Sequence, residues 1–533
     1  MIRLAHVDVA VFGSGAAGLQ AACSSAVEAP RHKTALFCPT SPLRGGSTVR
    51  SHAVNAALRP EDSVERHLED TLRAGAGLND PVLARMLVTE IPSRIADLRR
   101  WGCRFDIEGG VFAANTYGGS SISRGLRAKR MLGPEIARVL IRRSVVCGVG
   151  VHEGFRLADL IVEAGVVRGA VLWRPSTRRF YSLPCTAIVL ATGGGTAMYS
   201  PSSAGPTKTC DGIALAYRHG AGLIDMEMVQ FHPTGVVRPG RSPHGAIVPE
   251  EFRAQGAVLR NRAGDRITAR PGRESPGVET RDVLSRAIAA EIEAGRGTAH
   301  GAVLLELGNL PTAVLAGLLA RADPALARHV RSRRGSLEVA PTAHSLLGGI
   351  EISAEAATNI RGLYACGEDA GGTHGANRIG GNGLAEALVF GHVAGLQAAR
   401  AAAGATVRAL RRPVRPPRRA ETRPPFPFQE RLSRLRTAMS FGCGVVRRQD
   451  RLRELARAID DSQAELDGVS AGLGQLDDFL DYSHLLAVSS LIVRASLDRD
   501  NNAGVFFKSE NAGRGRYNIR LHHDKLRRQW RNS

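Results

Sequence analysis

The sequence predicts an α/β protein built from a discontinuous parallel-sheet domain, an inserted α+β cap and a C-terminal helical domain. Three observations predict this fold class. The apolar run Asp8–Phe12 leads through a glycine-rich turn into a helical pattern, and the run 187–191 also ends in a glycine turn. Beyond residue 425, apolar residues recur at three- and four-residue spacing, which is typical of helices.

The first element is a strand, a turn and a helix. The turn reads Gly13-Ser14-Gly15-Ala16-Ala17-Gly18. In such a GxGxxG turn the first glycine allows the tight bend, the second lets a pyrophosphate approach the backbone, and the third lets helix and strand pack closely. The sequence therefore predicts a Rossmann-like dinucleotide site. The next strand, Thr34–Phe37, ends at Cys38, where many such folds have an acid for the ribose.

Later strands return the chain to the same site. Ala191-Thr192-Gly193-Gly194 follows the strand 187–191, a turn that flavin-binding folds of this type use, and favours FAD over NAD. Another short strand ends at Gly367-Glu368. We therefore predict an FAD-binding domain made of residues 1–235 and 341–405, with the capping domain at 236–340 inserted between them.

The C-terminal part divides by composition. Residues 406–425 are rich in proline and arginine and are predicted to be a linker. Residues 426–500 are predicted to form a helical domain, with helical periodicity over 429–460 and 464–497. The tail 501–533 is polar and basic, and the sequence assigns it no regular structure.

Composition limits the functional class. The chain has 533 residues, 43% of them hydrophobic, and a net charge of +21. The densest basic segment has no interleaved aromatic residues for base stacking, so we do not predict nucleic-acid binding. A positive field would instead attract small dianions.

Targeting and metal-binding signals are missing from the sequence. There is no apolar run of about 18 residues and no secretory signal pattern, so a cytoplasmic protein is expected, with peripheral attachment at a membrane as the alternative. The eight cysteines are scattered without metal-ligand spacing, and no metal site is predicted.

Residues 371–384, GGTHGANRIGGNGL, contain six glycines. Glycine is favoured where φ is positive or where a ligand lies against the backbone, so these residues predict tight turns or a bound ligand. The alternative interpretation of the same residues is a flexible loop.

Together these motifs resemble the flavoprotein family of succinate dehydrogenase and fumarate reductase flavoprotein subunits and L-aspartate oxidase. The resemblance covers about residues 6 to 500. Besides the first glycine turn, it is carried by HLEDTLRAGAGL (67–78), DMEMVQFHPTG (225–235), ETRDVLSRAI (279–288), PTAHSLLGGI (341–350) and HGANRIGGNGL (374–384).

The resemblance implies roles for individual residues. His232, His344 and Arg378 match the side chains that hold the carboxylates of a C4-dicarboxylate, and Arg281 matches the family's general acid and base. Glu250 and Arg253 match the relay that returns its proton. The glycine-rich loop is expected to run beneath the flavin. The implied cofactor-binding residues are Gly13, Gly15, Ala16, Ala17, Gly18, Cys38, Gly45, Gly46, Ser47, Ala191, Thr192, Gly193, Gly194, Asp211, Glu368, Gly383 and Leu384.

The chain also departs from the family pattern. Gly46 stands where membrane-bound members have the histidine that attaches FAD, which predicts non-covalent FAD; attachment at His52 is the alternative. Pro249 replaces a threonine that touches substrate, and residues 499–506 replace a RESRGxH motif. Tyr117 precedes Gly118-Gly119, where aspartate oxidases tend to have an acid.

Three hypotheses follow from the sequence. The first is an FAD-dependent oxidoreductase that acts on a small anionic C4-dicarboxylate, with an electron-transfer partner or oxygen as the other reactant. The second is an L-aspartate oxidase-like enzyme. The third is a flavin-binding electron-transfer subunit with weak catalysis of its own.

Overall fold

The computed structural model describes residues 1–205, 208–268, 279–332, 335–404, 425–469, 471–511, 513 and 516–522, and the backbone of 525–531. The predicted linker at 406–425 therefore lies almost wholly outside the described residues. The helices are α1 Ala16–Glu28, α2 Val64–Ala74, α3 Pro81–Arg100, α4 Leu132–Val146, α5 Asp211–Arg218, α6 Glu250–Ala254, α7 Arg281–Glu293, α8 Thr312–Arg321, α9 Pro324–Ser332, α10 Asn382–Ala403, α11 Phe428–Gly442, α12 Gln449–Asp467 and α13 Leu476–Asp498.

The strands are numbered in chain order. The first half contains β1 Ile2–Arg3, β2 Val7–Phe12, β3 Thr34–Cys38, β4 Val54–Asn55, β5 Ile107–Glu108, β6 Val111–Phe112, β7 Ala114–Asn115, β8 Gly125–Leu126, β9 Gly150–Glu153, β10 Arg156–Glu163, β11 Val166–Arg174 and β12 Arg179–Leu190. The second half contains β13 Leu223–Ile224, β14 Val229–Val236, β15 Val258–Arg260, β16 Val303–Glu306, β17 Ser336–Leu346, β18 Gly349–Glu351, β19 Leu363–Ala365, β20 Ala370–Gly371, β21 Arg516–His522 and β22 Lys525–Arg531.

The largest sheet positions the glycine turns. Its order is β10-β11-β12-β2-β3-β9, and β1 and β19 also pair with β12. The β12–β2, β2–β3 and β3–β9 pairs are parallel. Their buried, almost continuous apolar sequence is typical of parallel strands covered on both faces. Because the carboxyl ends of parallel strands share one edge, the turns after β2 and β12 meet there.

Helices α1 and α10 bring the two distant parts of this domain together. A Cβ at Gly395 would lie 2.0 Å from the Ala21 carbonyl oxygen, and one at Gly391 would lie 2.5 Å from that of Ala17. The two helices can pack this closely because α10 has glycines at the contact. As a result, the first turn of α1 lies beside the third turn of α10.

The cap contains a four-stranded sheet of order β14-β17-β16-β15. Its apolar core includes Phe252, Leu284, Ile288 and Val303. Strands β14 and β17 extend across both ends of the predicted 236–340 segment, so the cap shares these strands with the rest of the chain. The domain limits themselves stay a prediction.

The helical region differs from the periodicity in where its helices break. The second predicted segment, 464–497, is interrupted between Asp467, where α12 ends, and Leu476, where α13 begins. The first predicted segment, 429–460, is broken after Gly442, and α12 then continues through residues 460–464, where the predicted pattern is interrupted. A Cβ at Gly442 would lie 2.9 Å from Leu455 Cδ2, so the glycine lets α11 and α12 pack closely at the break. The apolar residues that the periodicity identified, such as Leu432 and Ile492, are buried.

The tail has a strand that the sequence analysis did not assign. Strand β21 pairs with β13, where Leu521 is opposite Leu223. Its alternate residues Tyr517, Ile519 and Leu521 are buried. The backbone N–H of Ile519 donates to Asp225 Oδ1 at 3.1 Å. The tail therefore supports the segment that leads into β14.

None of the helices in the described ranges combines the length and apolar character that a membrane span needs.

Candidate active site

The turn after β2 has the geometry that the GxGxxG pattern predicts. Gly13 has φ +112°, and a Cβ there would lie 2.0 Å from the Ala191 carbonyl oxygen. A Cβ at Gly18 would lie 1.9 Å from the Gly13 carbonyl oxygen, whereas one at Gly15 would meet only Thr48 Oγ1, at 3.3 Å. The first and third glycines are thus required by the fold, and the second faces open space.

The N-terminus of α1 opens onto a large cavity. Gly15 is the N-cap and provides no side-chain hydrogen bond, so the N–H groups of the first turn after Ala16 are available to an anion. The N–H of Ala16 donates to Thr48 Oγ1 at 2.8 Å. The cavity measures about 560 Å³ and continues from this helix end to the predicted substrate residues.

Most of the predicted cofactor-binding residues line this cavity. They are Gly13, Gly15, Ala16, Ala17, Gly45, Gly46, Ser47, Ala191, Thr192, Gly193, Asp211, Glu368, Gly383 and Leu384. Gly18, Cys38 and Gly194 do not line it. Gly194 packs against Glu368, which does line the cavity: a Cβ at Gly194 would lie 2.3 Å from Glu368 Oε1. The Cys38 thiol is buried in the protein core, and this burial raises its pKa to about 11.

Two acids after β19, Glu368 and Asp369, accept hydrogen bonds from several segments around the predicted cofactor site. The sequence predicted a role for Glu368 only. Glu368 accepts hydrogen bonds from Lys208 Nζ and from the Leu346 N–H, and Lys208 also donates to Ser47 Oγ at 3.0 Å. Asp369 accepts from Thr192 Oγ1 at 3.0 Å and from the Gly193 N–H at 3.2 Å. Asp369 thus fixes the turn after β12. Burial raises its pKa to about 7, although the hydrogen bonds from Thr192 oppose the shift.

Asp211 belongs to a buried ionic cluster as well as to the cavity wall. Its carboxylate accepts from Arg156 Nε at 2.9 Å and lies 2.9 Å from His484 Nδ1. Burial alone would raise its pKa, but the charge of Arg156 outweighs this effect and holds the pKa well below the ordinary value. The carboxylate is therefore charged and tied to the helical region through His484.

The predicted substrate residues converge at the other end of the cavity. His232 on β14, His344 on β17, Arg281 at the start of α7 and Arg378 before α10 all line it. The rings of His232 and His344 have centroids 5.6 Å apart. Four segments that are distant in the sequence therefore meet in one place, because β14 and β17 are paired.

Both histidines are neutral imidazoles. Burial lowers the pKa of His232 and of His344 well below the ordinary value, and the charge of Arg281 lowers both further. The Thr234 N–H donates to His232 Nδ1 at 3.3 Å, so the ring proton of His232 is on Nε2. His232 therefore presents an N–H donor.

Arg281 and Glu250 form a buried ion pair. Arg281 Nε donates to Glu250 Oε1 at 2.6 Å, and Glu250 Oε2 accepts from the Gly118 N–H at 3.2 Å. Burial raises the pKa of Glu250, but Arg281 and Arg253 outweigh it, and the net pKa lies below the ordinary value. The glutamate is thus a carboxylate in contact with the predicted acid.

Arg253 is close to this pair without bonding to it. It is buried, and its Nε and Nη2 atoms have no hydrogen-bond partner among the described residues. Burial lowers its pKa, while the charge of Glu250 opposes the shift. Arg253 does not line the cavity, so it lies behind Glu250 as seen from the substrate end.

Gln230 joins the two guanidinium groups, and sequence reasoning missed it. Its Oε1 accepts from Arg281 Nη1 at 3.0 Å and from Arg378 Nη2 at 3.1 Å. Its Nε2 donates to Asn377 Oδ1 and to the Arg378 carbonyl oxygen, each at 2.8 Å. The sequence signal that could have identified Gln230 is its position two residues before His232 on the same strand.

The glycine-rich loop 371–384 requires a correction. A Cβ at Gly375 would lie 2.5 Å from the Asn79 nitrogen, and one at Gly380 would lie 2.8 Å from Tyr117 Cδ1. Protein atoms already exclude a side chain at these two positions. Gly381 and Gly383 line the cavity, but a Cβ at Gly381 would lie 2.3 Å from Asn55 Oδ1. The interpretation that a flavin explains the glycines therefore applies at most to Gly383.

The positions that depart from the family pattern lie in two regions. Pro249 lines the cavity and is the N-cap of α6. None of the residues 499–506 lines the cavity as the described residues define it. Arg499 is buried instead and donates from Nε to Glu227 Oε1 at 2.7 Å, in a structural ion pair.

FAD fits the residues that are present. Gly46 has φ +76° and no atom within 4 Å of a Cβ position, so the wall there is open. Three cavity-lining side chains have buried polar atoms with no partner among the described residues: Glu386 Oε1, His374 Nδ1 and Arg378 Nε. An open helix N-terminus and unpaired polar groups in one cavity match a ligand with a pyrophosphate and a polar ring system.

Comparison with known proteins agrees with this geometry. A family model described as an FAD binding domain matches residues 8–384. The chain belongs to the fumarate reductase, succinate dehydrogenase and L-aspartate oxidase flavoprotein family. The resemblance seen in the motifs is thereby confirmed, and the chain is an FAD-dependent oxidoreductase.

The relatives of this flavoprotein include a fumarate reductase subunit and an L-aspartate oxidase. The flavoprotein is 35% identical to a subunit of the fumarate reductase (CoM/CoB) of Methanothermobacter marburgensis, with 95% of each chain covered. It is 33% identical to the L-aspartate oxidase of Caulobacter vibrioides, with 94% of this chain and 93% of the relative covered.

Among solved structures, the flavoprotein superposes on a single-residue variant of Escherichia coli quinol fumarate reductase FrdA. That superposition has a TM-score of 0.89 and 26% identity, and it covers 99% of this chain and 97% of the other. Sdh1 of Mycobacterium smegmatis in complex with UQ1 gives a TM-score of 0.86 and 27% identity, over 100% of this chain and 95% of the other.

Proposed function

We propose that the flavoprotein moves a hydride between flavin N5 and a carbon of a C4-dicarboxylate, with Arg281 as the proton donor and acceptor. The observation that carries this proposal is the pair of guanidiniums, Arg281 and Arg378, held by one amide beside two neutral histidines in the cavity that reaches the glycine turns. FAD, when bound, supplies or accepts the hydride.

The two ends of the substrate need partners because a dianion loses much hydration energy when it enters a buried site. Arg378 is suited to a two-point grip on one carboxylate, and the Nε2–H of His232 can donate to the other. Burial lowers the pKa of Arg378 to about 9, and the neighbouring Arg281 contributes. A bound carboxylate would reverse this shift, so the site favours an anionic ligand.

Proton transfer rests on Arg281. Reduction of a carbon–carbon double bond needs one hydride and one proton, and an arginine gives up a proton only in a desolvated, cationic place. Arg281 is 8% exposed, and its charge is close enough to Arg253 and Arg378 to add to the lowering of the pKa of each. Glu250 is ionised, so it would return the proton as a relay: it takes up a proton that enters from solvent on the side of Arg253 and passes it to Arg281, whose Nε it contacts.

The direct test is flavin oxidation by an alkene dicarboxylate. The purified flavoprotein is reduced anaerobically and mixed with fumarate, with crotonate as the control that lacks the second carboxylate. We expect fumarate to reoxidise the flavin and crotonate to leave it reduced. The proposal fails if neither acid reoxidises it, a result that would favour an electron-transfer subunit.

A second candidate is oxidation of an acidic amino acid, favoured by the near full-length similarity to L-aspartate oxidase. Bleaching of the oxidised flavin by L-aspartate, followed by recovery in oxygen, would establish it. Absence of bleaching, together with turnover on fumarate, would exclude it.

We expect Gln230→Leu to lower kcat/KM for the dicarboxylate by roughly 10- to 100-fold, since two charged groups each lose a hydrogen bond. Leucine has a similar size but cannot accept from either guanidinium. Steady-state kinetics would measure the change. Gln255→Leu, at an exposed position of the cap, is the matched control. Unchanged kinetics in both variants would refute the positioning role of Gln230.

We propose that FAD is held without a covalent bond, because Gly46 has no side chain to attach it. His52 Nδ1 lies 3.1 Å from the Arg321 carbonyl oxygen, so this nitrogen of the alternative attachment residue is already engaged. Acid precipitation is expected to leave all yellow colour in the supernatant. Colour in the washed pellet would contradict the proposal.

A further inference from the structure

His52 is a cavity residue to which the mechanism above gives no part. It lies between the 3₁₀ turn Thr48–Arg50 and β4, and its ring lines the same cavity as His232 and His344. It is close enough to both that a positive charge on its ring would add to the lowering of their pKa, after burial and the charge of Arg281. His52 therefore lies at the substrate end of the cavity.

The hydrogen bond of His52 fixes its tautomer. Nδ1 lies 3.1 Å from the carbonyl oxygen of Arg321, the last residue of α8 in the cap. A carbonyl oxygen can only accept, so the proton is on Nδ1. Burial lowers the pKa of His52, although Glu251 and Asp323 oppose the shift, and the ring is neutral. Nε2 then carries a lone pair and no proton.

This lone pair differs from the other polar groups at the substrate end. Arg281, Arg378 and the Nε2–H of His232 are donors that suit carboxylate oxygens. Nε2 of His52 is an acceptor, and within the described ranges the ring makes its hydrogen bond through Nδ1 alone. A carboxylate oxygen beside Nε2 would be repelled, and a methylene group would leave the nitrogen unpaired.

We propose that His52 is a substrate-binding residue that accepts a hydrogen bond from a hydroxyl or amino group beside one carboxylate of the substrate. The flavoprotein then prefers C4-dicarboxylates that carry such a donor over succinate. The inference rests on the proposed function, because it places a dicarboxylate at this end of the cavity.

The test measures dissociation constants for three ligands of the oxidised holoprotein. Succinate has no donor, L-malate has a hydroxyl and L-aspartate has an ammonium group. Binding is read from the absorbance change of the flavin before any bleaching. We expect L-malate to bind roughly 2- to 10-fold more tightly than succinate, the range for one neutral hydrogen bond, and L-aspartate, whose ammonium group is a charged donor, to gain at least about as much.

Variants of His52 assign the preference. His52→Gly is expected to bring the preferred ligand down to the affinity of succinate, while His52→Gln, which retains an acceptor oxygen, keeps part of the preference. His300→Gln, an exposed position in the cap, is the control. If His52→Gly loses FAD, the wild-type ratio and the glutamine variant still decide the outcome.

Three outcomes would overturn the inference. Succinate could bind as tightly as both donor-bearing acids, or His52→Gly could weaken all three ligands equally, which would make His52 only a link to the cap. Binding of none of the three acids, with no reoxidation by fumarate, would instead remove the proposed function and the inference with it.

Discussion

Arg281→Ala should abolish turnover of the dicarboxylate while the protein still holds FAD. Among the described arginines, Arg281 alone both donates to Glu250 and lines the cavity, and the substitution removes its guanidinium. A general acid typically contributes about 10²- to 10⁴-fold to the rate. We expect kcat to fall by about 10³-fold, the middle of this range. Stopped-flow oxidation of the reduced flavin by fumarate measures it.

The control for this variant is Arg296→Ala. Arg296 follows α7, is 48% exposed and pairs with Glu291 in the cap. Its removal should change kcat by less than about twofold, since surface ion pairs contribute little. Activity retained in Arg281→Ala would show that another group provides the proton. Loss of flavin from that variant would point to a structural role instead.

Gly13→Ala should yield a protein that holds little or no FAD. The added methyl would lie 2.0 Å from the Ala191 carbonyl oxygen, at a φ of +112° that alanine rarely adopts. The turn after β2 and the turn after β12 could no longer touch. Flavin absorbance per protein after reconstitution measures the effect.

Two further glycine variants separate the causes. Gly154→Ala, at φ +78° with no atom within 4 Å, tests backbone strain alone and should retain FAD. Gly15→Val should fold, because a Cβ there meets only Thr48 Oγ1 at 3.3 Å, but it would fill the anion site. An unchanged FAD dissociation constant in Gly15→Val would contradict the assignment of the cavity.

Local signals account for what the sequence predicted well. The run Asp8–Phe12 corresponds to β2 at Val7–Phe12, and the helix follows its glycine turn, because the apolar run and the turn act on adjacent residues. The break between α11 and α12 was missed, since glycine at 442 serves a packing contact between helices. Strand β21 was missed because its partner, β13, lies almost 300 residues earlier.

The candidate site follows the same rule. His232, His344, Arg281 and Arg378 were found because each is part of a recognisable motif. Sequence reasoning missed Gln230, Lys208 and Asp369, whose roles depend on hydrogen bonds to distant segments. A single sequence does not encode such bonds in spacing or periodicity, so only the folded chain reveals them.

The strand at Arg516–His522 has a consequence for the order of assembly. Asp225, at the approach to the histidine-bearing strand β14, depends on backbone and side-chain donors that are synthesised almost 300 residues later. During synthesis the residues of the glycine turns are made early, but Asp225 can accept these hydrogen bonds only after the C-terminal segment has been made. The start of β14, the strand that contains His232, is therefore fully supported only when synthesis is nearly complete. A protease that clips the chain before Arg516 would therefore impair chemistry without removing any residue that faces the substrate.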